Sequence, residues 1–127
     1  MLSVRTDENV VALRKLVRER SIEIKLSLVD QTKFVTAASE LARNTVTYGG
    51  GGTVRIEGVE NGIRRGVRLT FEDRGPGIPD LELAMRDGYT TGSGLGLGLS
   101  GARRLSHDFE ITSTVGEGTR VVIGRWK

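Results

Sequence analysis

Residues 92–99 form a glycine-rich run, with a glycine at every second position, that is suited to binding an anion. Glycine lets the backbone approach a ligand closely, with its N–H groups exposed. Because glycine also loses the most backbone entropy on folding, such a run is poorly suited to a regular strand or helix. A helix is predicted over residues 97–105, and the positive end of its dipole favours a phosphate chain.

Two common phosphate-binding motifs do not fit this run. A P-loop needs a lysine after its glycines, and no lysine occurs between Lys33 and Lys127. The same absence excludes a eukaryotic-type protein kinase, which needs a strand lysine. Residues 96–101 match the GxGxxG pattern, but no apolar strand precedes them, which disfavours a Rossmann site.

Glu40 and Asn44 are four residues apart in a segment without glycine or proline, so on a helix they share one face. A carboxylate can accept a proton, and a carboxamide oxygen can ligate Mg²⁺. Phosphoryl transfer needs both functions. The pair also fits a solvated helix face, with hydrogen bonds between Glu40 and Arg43 or Asn44.

Asp73 lies where an alternating strand pattern breaks into Gly75, Pro76 and Gly77. One interpretation is an Asx turn, in which the aspartate binds its own backbone. The other is a hydrogen-bond acceptor for the exocyclic amine of a base, which the glycines would allow to come close. These residues alone support the two interpretations equally.

Composition limits the remaining function classes. The 127 residues fit one domain, 1–127, and the absence of cysteine excludes disulfides, zinc–thiolate sites and thiol catalysis. No signal peptide or membrane-spanning stretch is apparent, which predicts a soluble, cytoplasmic protein without a membrane partner. Arginines at 64, 65, 68, 103 and 104 do not cluster with aromatic residues, so a solvated surface is favoured over a nucleic-acid partner.

In the first part of the chain, periodicity predicts an edge strand over 2–5 and a helix that Asp7 caps and that extends to about Arg20. Residues 22–26 fit either a strand-like connector or an extension of that helix. A capping box of Ser27 and Asp30 then starts a longer helix, over residues 28–48, which carries Glu40 and Asn44 and ends at four glycines that act as a flexible break.

The second part alternates hairpins with helices. A turn at Asn61 and Gly62 joins two strands, a short helix follows over 80–86, and residues 87–96 form a loop. After the glycine run, a second hairpin turns at residues 116–118. The order β-α-α-β-β-(short α)-α-β-β predicts an α/β (α+β) two-layer sandwich, with helices on one face of a mixed, mainly antiparallel sheet.

Three motifs in this order resemble the N, G1 and G2 boxes of the GHKL ATPase superfamily, which includes gyrase, heat-shock protein 90, histidine kinases and MutL. They are Glu40-x-x-x-Asn44, Asp73-x-Gly75-x-Gly77 and Gly94-x-Gly96-x-Gly98-Leu99. Residues 116–119, Gly-Glu-Gly-Thr, resemble its last motif. The resemblance spans the whole chain and implies the Bergerat ATP-binding fold, with ATP and Mg²⁺ as cofactors.

The resemblance also implies a role for each site residue. Asn44 would coordinate Mg²⁺ on the phosphates of ATP, and Glu40 would accept or position the proton of the attacking hydroxyl. Asp73 would accept a hydrogen bond from the adenine amino group, and Arg86 or Arg103 would neutralise charge on the γ-phosphate. Further nucleotide contacts are implied for the G1 loop, a water-bridging threonine and a phosphate lid that orders when ATP binds: Gly75, Gly77, Ile78, Thr119, Gly94, Leu95, Gly96, Leu97, Gly98 and Leu99.

Within the superfamily, residues 39–44, 72–80 and 88–91 strongly resemble the RsbT-type serine/threonine kinases of bacterial stressosomes. The related RsbW-like and SpoIIAB-like anti-sigma kinases usually carry a His-Ala-Tyr-like segment after the asparagine, where this chain has Thr-Val-Thr-Tyr and four glycines. A self-phosphorylating histidine kinase is disfavoured, because the sole histidine, His107, is predicted to be a surface or boundary residue. Gyrase-like and MutL-like enzymes are too long.

The resemblance therefore implies a kinase of a partner-switching pathway. Its expected substrate is a STAS-domain antagonist of the RsbS or RsbR type, phosphorylated on serine or threonine. Once released, the kinase would activate a PP2C-type, RsbU-like phosphatase. The alternatives are an anti-sigma factor that sequesters a sigma subunit and a binding module that has lost catalysis. The sequence leaves the oligomeric state open.

Overall fold

The computed structural model describes residues 1–85 and 95–127, and it has the predicted order of elements. The elements are β1 (Leu2–Val4), α1 (Asp7–Glu23), α2 (Leu28–Thr47), β2 (Gly52–Asn61), β3 (Arg64–Asp73), α3 (Leu81–Ala84), α4 (Leu95–Arg104), β4 (Asp108–Thr114) and β5 (Gly118–Trp126).

The strands form one five-stranded sheet in the order β1-β2-β3-β5-β4. Every described pairing is antiparallel, so the prediction of a mixed sheet was wrong, whereas the two-layer α/β architecture is confirmed. The physical reason is the connectivity. The chain crosses from β3 to the far edge through α3 and α4, and the β4–β5 hairpin then returns β5 antiparallel to both neighbours.

The core lies between the helices and one face of the sheet. All three longer helices contribute fully buried apolar side chains, and they meet side chains from β3 and β5: Leu13, Phe34, Leu41, Leu99, Leu69, Phe71 and Ile123. Burying each such side chain stabilises the fold by about 1.5–3 kcal/mol. Within residues 1–85 and 95–127, no helix combines the length and the apolar character needed to cross a membrane.

The two long helices begin at side-chain caps. Thr6, not Asp7, caps α1: its Oγ1 accepts from the Asn9 N–H at 3.2 Å, and Asn9 Oδ1 accepts from the Thr6 N–H at 3.2 Å. Asp7 instead lies in the first turn, where its negative charge interacts favourably with the positive end of the helix dipole. At α2, Ser27 Oγ accepts from the Asp30 N–H at 3.1 Å, which confirms Ser27 as the cap, and the Asp30 carboxylate of the predicted capping box binds Arg125.

Several boundaries differ from the prediction. α1 extends to Glu23, which confirms the helix extension as one of the two interpretations of residues 22–26. Asn61 pairs with Arg64, which moves the β2–β3 turn one residue onward, with Gly62 at a φ of 63°. α4 begins at Leu95, so residues 95 and 96, which were predicted as loop, are helical. Burial of Leu99 and Ala102 in the core outweighs the cost of helical glycine, about 1 kcal/mol each.

Arg125 ties β5 to the ends of two helices. Its buried guanidinium donates from Nη2 to Asp30 Oδ1 at 2.6 Å and from Nη1 to the Leu105 carbonyl at 2.8 Å. The hydrogen bond from Arg125, followed by one with the Ser27 side chain, lowers the pKa of Asp30 below its usual value. The negative charge at the start of α2 is thereby stabilised.

His107 is an exposed residue beside this ion pair, as predicted. Its Nδ1 accepts from the Trp126 N–H at 2.9 Å, which requires that nitrogen to be unprotonated. The protein surrounding the imidazole, followed by the charge of Arg125, lowers the pKa of His107 because both disfavour the charged ring. His107 therefore has a structural role, as the acceptor for the Trp126 N–H.

Candidate active site

One transverse row of the sheet carries the polar side chains of the site. Gly52 pairs with Asp73, Asp73 with Thr119, and Thr119 with Ser113, across β2, β3, β5 and β4. Directly paired residues point to the same face of a sheet. Val4, which pairs with Gly52, is fully buried, so this row faces the helices.

A small cavity lies between this row and α2. Its volume is about 30 Å³, and six of the predicted site residues line it: Asn44, Asp73, Gly77, Ile78, Leu99 and Thr119. Apolar and aromatic side chains complete the wall, among them Phe71 and Val121. Such a volume holds one or two water molecules, so a base can enter only if the cavity widens.

A larger cavity, of about 640 Å³, lies on the opposite face of the sheet and contains none of the predicted site residues. Its walls carry both charges, and Arg120 pairs there with Glu72 at 3.4 Å. It is the solvated face that an antiparallel sheet commonly has. The smaller cavity is therefore the candidate site.

Asp73 forms the Asx turn that was one of the two interpretations of its position. Its Oδ1 accepts from the Gly75 N–H at 2.9 Å, which closes an Asx turn at the end of β3. The structure gives its other oxygen no hydrogen-bond partner among the described residues. The turn therefore holds the carboxylate of a residue that lines the cavity and leaves one of its oxygens available as an acceptor.

Two of the four glycines after α2, Gly49 and Gly52, are close packing contacts rather than parts of a flexible break, which was the prediction for this run. A Cβ at Gly49 would lie 2.5 Å from Asp73 Cβ and Cγ, and a Cβ at Gly52 would lie 2.1 Å from the Glu72 carbonyl oxygen. Gly75 is also crowded, because a Cβ added there would lie 2.7 Å from Gly49 Cα. Sequence reasoning missed this role of Gly49, although the run of four glycines was its signal.

The loop after Asp73 is held by the β4–β5 hairpin. The Gly116 N–H donates to the Pro76 carbonyl at 2.9 Å, and the Ile78 N–H donates to Ser113 Oγ at 2.7 Å. Gly77 has a φ of 78°, and a Cβ there would lie 2.5 Å from the Thr114 carbonyl oxygen. Conformation and contact both require glycine at this position.

Ser113 is a second residue that sequence reasoning missed, since it looked only like one position of an alternating strand. Its Oγ lies 2.8 Å from Thr119 Oγ1 and 3.2 Å from the Gly118 carbonyl oxygen, in addition to its bond with the Ile78 N–H. The side chain thus joins β4, β5 and the loop after β3.

α2 presents Glu40 and Asn44 one turn apart, as predicted. Asn44 lies in the cavity wall, whereas Glu40 is half-buried and lies one turn nearer the start of the helix. Asn44 Nδ2 is buried and has no hydrogen-bond partner in the described part of the chain. The same part contains no cluster of three or more histidine, cysteine or acidic side chains that could hold a metal.

The first turn of α4 is the feature best suited to phosphate. N–H groups in the first turn of a helix have no partner within the helix and bind anions readily, and this turn begins at Leu95 and includes Gly96, Leu97 and Gly98. Arg103 lies exposed in the last turn, about 12 Å along the axis, so the structure does not bring it to this end. Gly94, Arg86 and the motif at 88–91 lie outside the described residues.

Comparison with known proteins gives matches over most of the chain. Residues 29–127 match the family described as histidine kinase-, DNA gyrase B-, and HSP90-like ATPase, a span that includes every predicted site residue. The chain is 42% identical over 123 residues to the serine/threonine-protein kinase RsbT of Bacillus subtilis (strain 168), covering 97% of this chain and 92% of that protein.

A solved structure gives a similar result for the fold. The mycobacterial sensor histidine kinase MprB matches with a TM-score of 0.59, covering 88% of this chain and 93% of that one. Sequence identity over this match is 18%, so the similarity concerns the fold alone.

Proposed function

Because the chain belongs to the histidine kinase-, DNA gyrase B- and HSP90-like ATPase family, we propose that it is an ATP- and Mg²⁺-dependent serine/threonine protein kinase of a partner-switching pathway. The observation that carries this proposal is the cavity in which Asp73 and Thr119, paired across two strands, face Asn44 of α2. Similarity to a serine/threonine-protein kinase over nearly the whole chain supports the reaction type.

The adenine base binds against the transverse row in this proposal. The oxygen of Asp73 that the Asx turn leaves available accepts a hydrogen bond from the exocyclic amine. Thr119 supports the base through a water molecule, and Gly77 and Ile78 lie along the ring. The apolar side chains of the wall exclude water from the ring faces, which strengthens these hydrogen bonds.

Asn44 is the residue that would hold Mg²⁺. A buried amide group without a partner costs free energy, and a ligand would remove that cost. Rotation of the carboxamide by half a turn brings its oxygen to the position of Nδ2. One protein oxygen is sufficient, because Mg²⁺ commonly takes its other ligands from phosphates and water. When bound, the ion supplies charge neutralisation on the triphosphate.

Glu40 lies one helical turn from Asn44 and is proposed to act on the attacking hydroxyl. The oxygen of a substrate serine or threonine forms a bond with the γ-phosphorus, and the bond from that phosphorus to the β–γ bridging oxygen breaks. The hydroxyl proton passes to the Glu40 carboxylate, and ADP leaves. The N–H groups in the first turn of α4 hold the phosphates, so catalysis rests on positioning and electrostatics.

The partners follow from the same proposal. The substrate is a STAS-domain antagonist, and the released kinase activates a PP2C-type phosphatase. Residues 1–127 act as one cytoplasmic kinase domain. These assignments rest on the similarity to RsbT-type kinases.

The test is phosphate transfer from labelled ATP, in the presence of Mg²⁺, to STAS-domain proteins encoded beside this gene. We expect label on one serine or threonine of such a protein and none when Mg²⁺ is chelated. Binding of ATP should be measured separately by calorimetry. Capture of a sigma factor in place of a STAS protein, or ATP binding without transfer to any of them, would contradict the proposed pathway.

A further inference from the structure

Ser113 Oγ is a hub of three hydrogen-bond contacts beside the proposed adenine site. It accepts from the Ile78 N–H at 2.7 Å, and it lies 2.8 Å from Thr119 Oγ1 and 3.2 Å from the Gly118 carbonyl oxygen. The first contact fixes the loop after Asp73, and the second reaches a side chain in the cavity wall. Ser113 itself does not line the cavity.

Only one arrangement of hydroxyl protons makes all three contacts of Ser113 Oγ hydrogen bonds. A serine hydroxyl has one proton and accepts at most two hydrogen bonds. The Ile78 N–H takes one acceptor position, and the Gly118 carbonyl can only accept. All three contacts are hydrogen bonds only if Ser113 donates to Gly118 and Thr119 donates to Ser113.

We propose that Ser113 is a positioning residue that fixes the polarity of Thr119 and thereby the choice of base. Because the Thr119 proton is directed at Ser113, the threonine presents only lone pairs to the cavity. Asp73, its neighbour across the β3–β5 ladder, is also an acceptor. Two adjacent acceptors favour a base edge that donates, as the amino group of adenine does, and disfavour the carbonyl of guanine or hypoxanthine.

This inference rests on the proposed function, since it assigns the base that the site selects. Without the Ser113 hydroxyl, the Thr119 proton can rotate toward the cavity and donate to the bridging water, which can then donate to a base carbonyl. The Ile78 N–H also loses its acceptor, so the loop is held less firmly. Selectivity and affinity should therefore fall together, whereas loosening of the loop alone would lower the affinity for all purine nucleotides equally.

The experiment is calorimetric titration of the full chain with ATP and with inosine triphosphate, which replaces the amino group by a carbonyl. We expect Ser113→Ala to bind ATP about two- to tenfold more weakly, the effect of one hydrogen bond. The ratio of inosine triphosphate to ATP dissociation constants should fall by about threefold or more. Ser113→Thr should restore both quantities, and Thr112→Ala, which removes an exposed hydroxyl from the other face of β4, should change neither.

Thermal unfolding shows whether each variant folds. If Ser113→Ala does not, Ser113→Cys keeps the side-chain size with a weakly bonding thiol and should show the same fall in the ratio. If Ser113→Ala leaves the ratio of dissociation constants unchanged, or weakens the binding of both nucleotides equally, the proposed role of Ser113 is wrong. The proposed function would still stand. Wild-type protein that binds neither nucleotide would overturn the proposed function and this inference with it.

Discussion

Gly49 and Asp73 lie in direct contact, since a Cβ at position 49 would stand 2.5 Å from the Cβ and Cγ of the aspartate. Gly49 follows the end of α2, and Asp73 is the last residue of β3. The contact therefore ties the helix that carries Asn44 to the strand end that carries the proposed adenine acceptor. Its tightness sets the spacing between the two layers at the site.

Gly49→Ala should weaken ATP binding. The added methyl group must push Asp73 or the end of α2 aside, and overpacking of this kind costs about 1–3 kcal/mol. We expect the dissociation constant for ATP, measured by calorimetry, to rise about tenfold. Gly58→Ala is the control, because a Cβ there has no atom within 4 Å and should leave binding unchanged. Normal ATP affinity in Gly49→Ala would show that Asp73 is not the acceptor.

Asn44→Ala should abolish phosphate transfer and leave the fold intact. The buried Nδ2 has no partner among the described residues, so its removal leaves no hydrogen bond of the fold unmade. We expect the free energy of unfolding in urea to stay the same or to rise by about 1 kcal/mol. Arg43→Ala, at an exposed neighbouring position, is the control for both measurements. Transfer at the wild-type rate would remove Asn44 from the metal assignment.

Glu40→Gln should separate binding from chemistry. The amide keeps the size of the side chain but cannot take up the hydroxyl proton, so single-turnover transfer should slow by about 10²–10⁴-fold. The dissociation constant for ATP should not change, because Glu40 is not part of the cavity wall. Equal transfer rates for variant and wild type would exclude Glu40 as the base.

Asp30→Ala should destabilise the protein more than Arg125→Met. The first variant leaves a guanidinium that is 8% exposed without its carboxylate, whereas the second leaves a carboxylate that is 34% exposed and open to water. We expect the free energy of unfolding in urea at pH 7 to fall by about 3 kcal/mol in Asp30→Ala and by about 1 kcal/mol in Arg125→Met. Arg20→Ala, which breaks the exposed pair with Glu23, should cost about 0.5 kcal/mol or less. Equal losses, or the reverse order, would contradict this account of the pair.

Stability should decrease as the pH falls below about 6.5, and His107 should be the cause. The folded protein lowers the pKa of His107, whereas the unfolded chain protonates it at the ordinary value of 6.5. Below that pH the unfolded state binds the proton preferentially, so stability is lost until the folded pKa is reached. No other histidine occurs in the sequence.

Urea unfolding at pH 7.5 and 5.5 tests this dependence. His107→Gln should flatten it, because glutamine keeps an acceptor oxygen but does not titrate. The contribution of Asp30 does not interfere, since its lowered pKa confines any loss to pH values below 3.8. A slope that persists in His107→Gln would assign the titration to another group.

Local signals in the sequence predicted most of the fold. Ser27 marked the start of α2 through its cap, and alternation along β2 and β3 predicted the first hairpin within one residue of its turn. The resemblance in motifs also named six residues that the structure gathers around one cavity. Their individual roles remain predictions.

The parts that sequence reasoning missed depend on contacts distant in the chain. Ser113 acquires its position from pairing with Thr119 and from a loop 35 residues earlier, which no local pattern encodes. Gly49 looked like a flexible break because its contact with Asp73 is formed only when the two layers pack. The start of α4 was misplaced for the same reason, since burial of Leu99 overrides the low helix propensity of glycine.

The row of Gly52, Asp73, Thr119 and Ser113 also limits where the chain can change in length. One residue inserted within β3 would turn Asp73 to the solvent face and shift it past Thr119. The β4–β5 turn is equally constrained, because Gly116 bonds to Pro76 beside the site. The turn at Gly62 and Ile63 lies at the far end of β3, about 30 Å away, and is where an inserted peptide or domain would leave the site undisturbed.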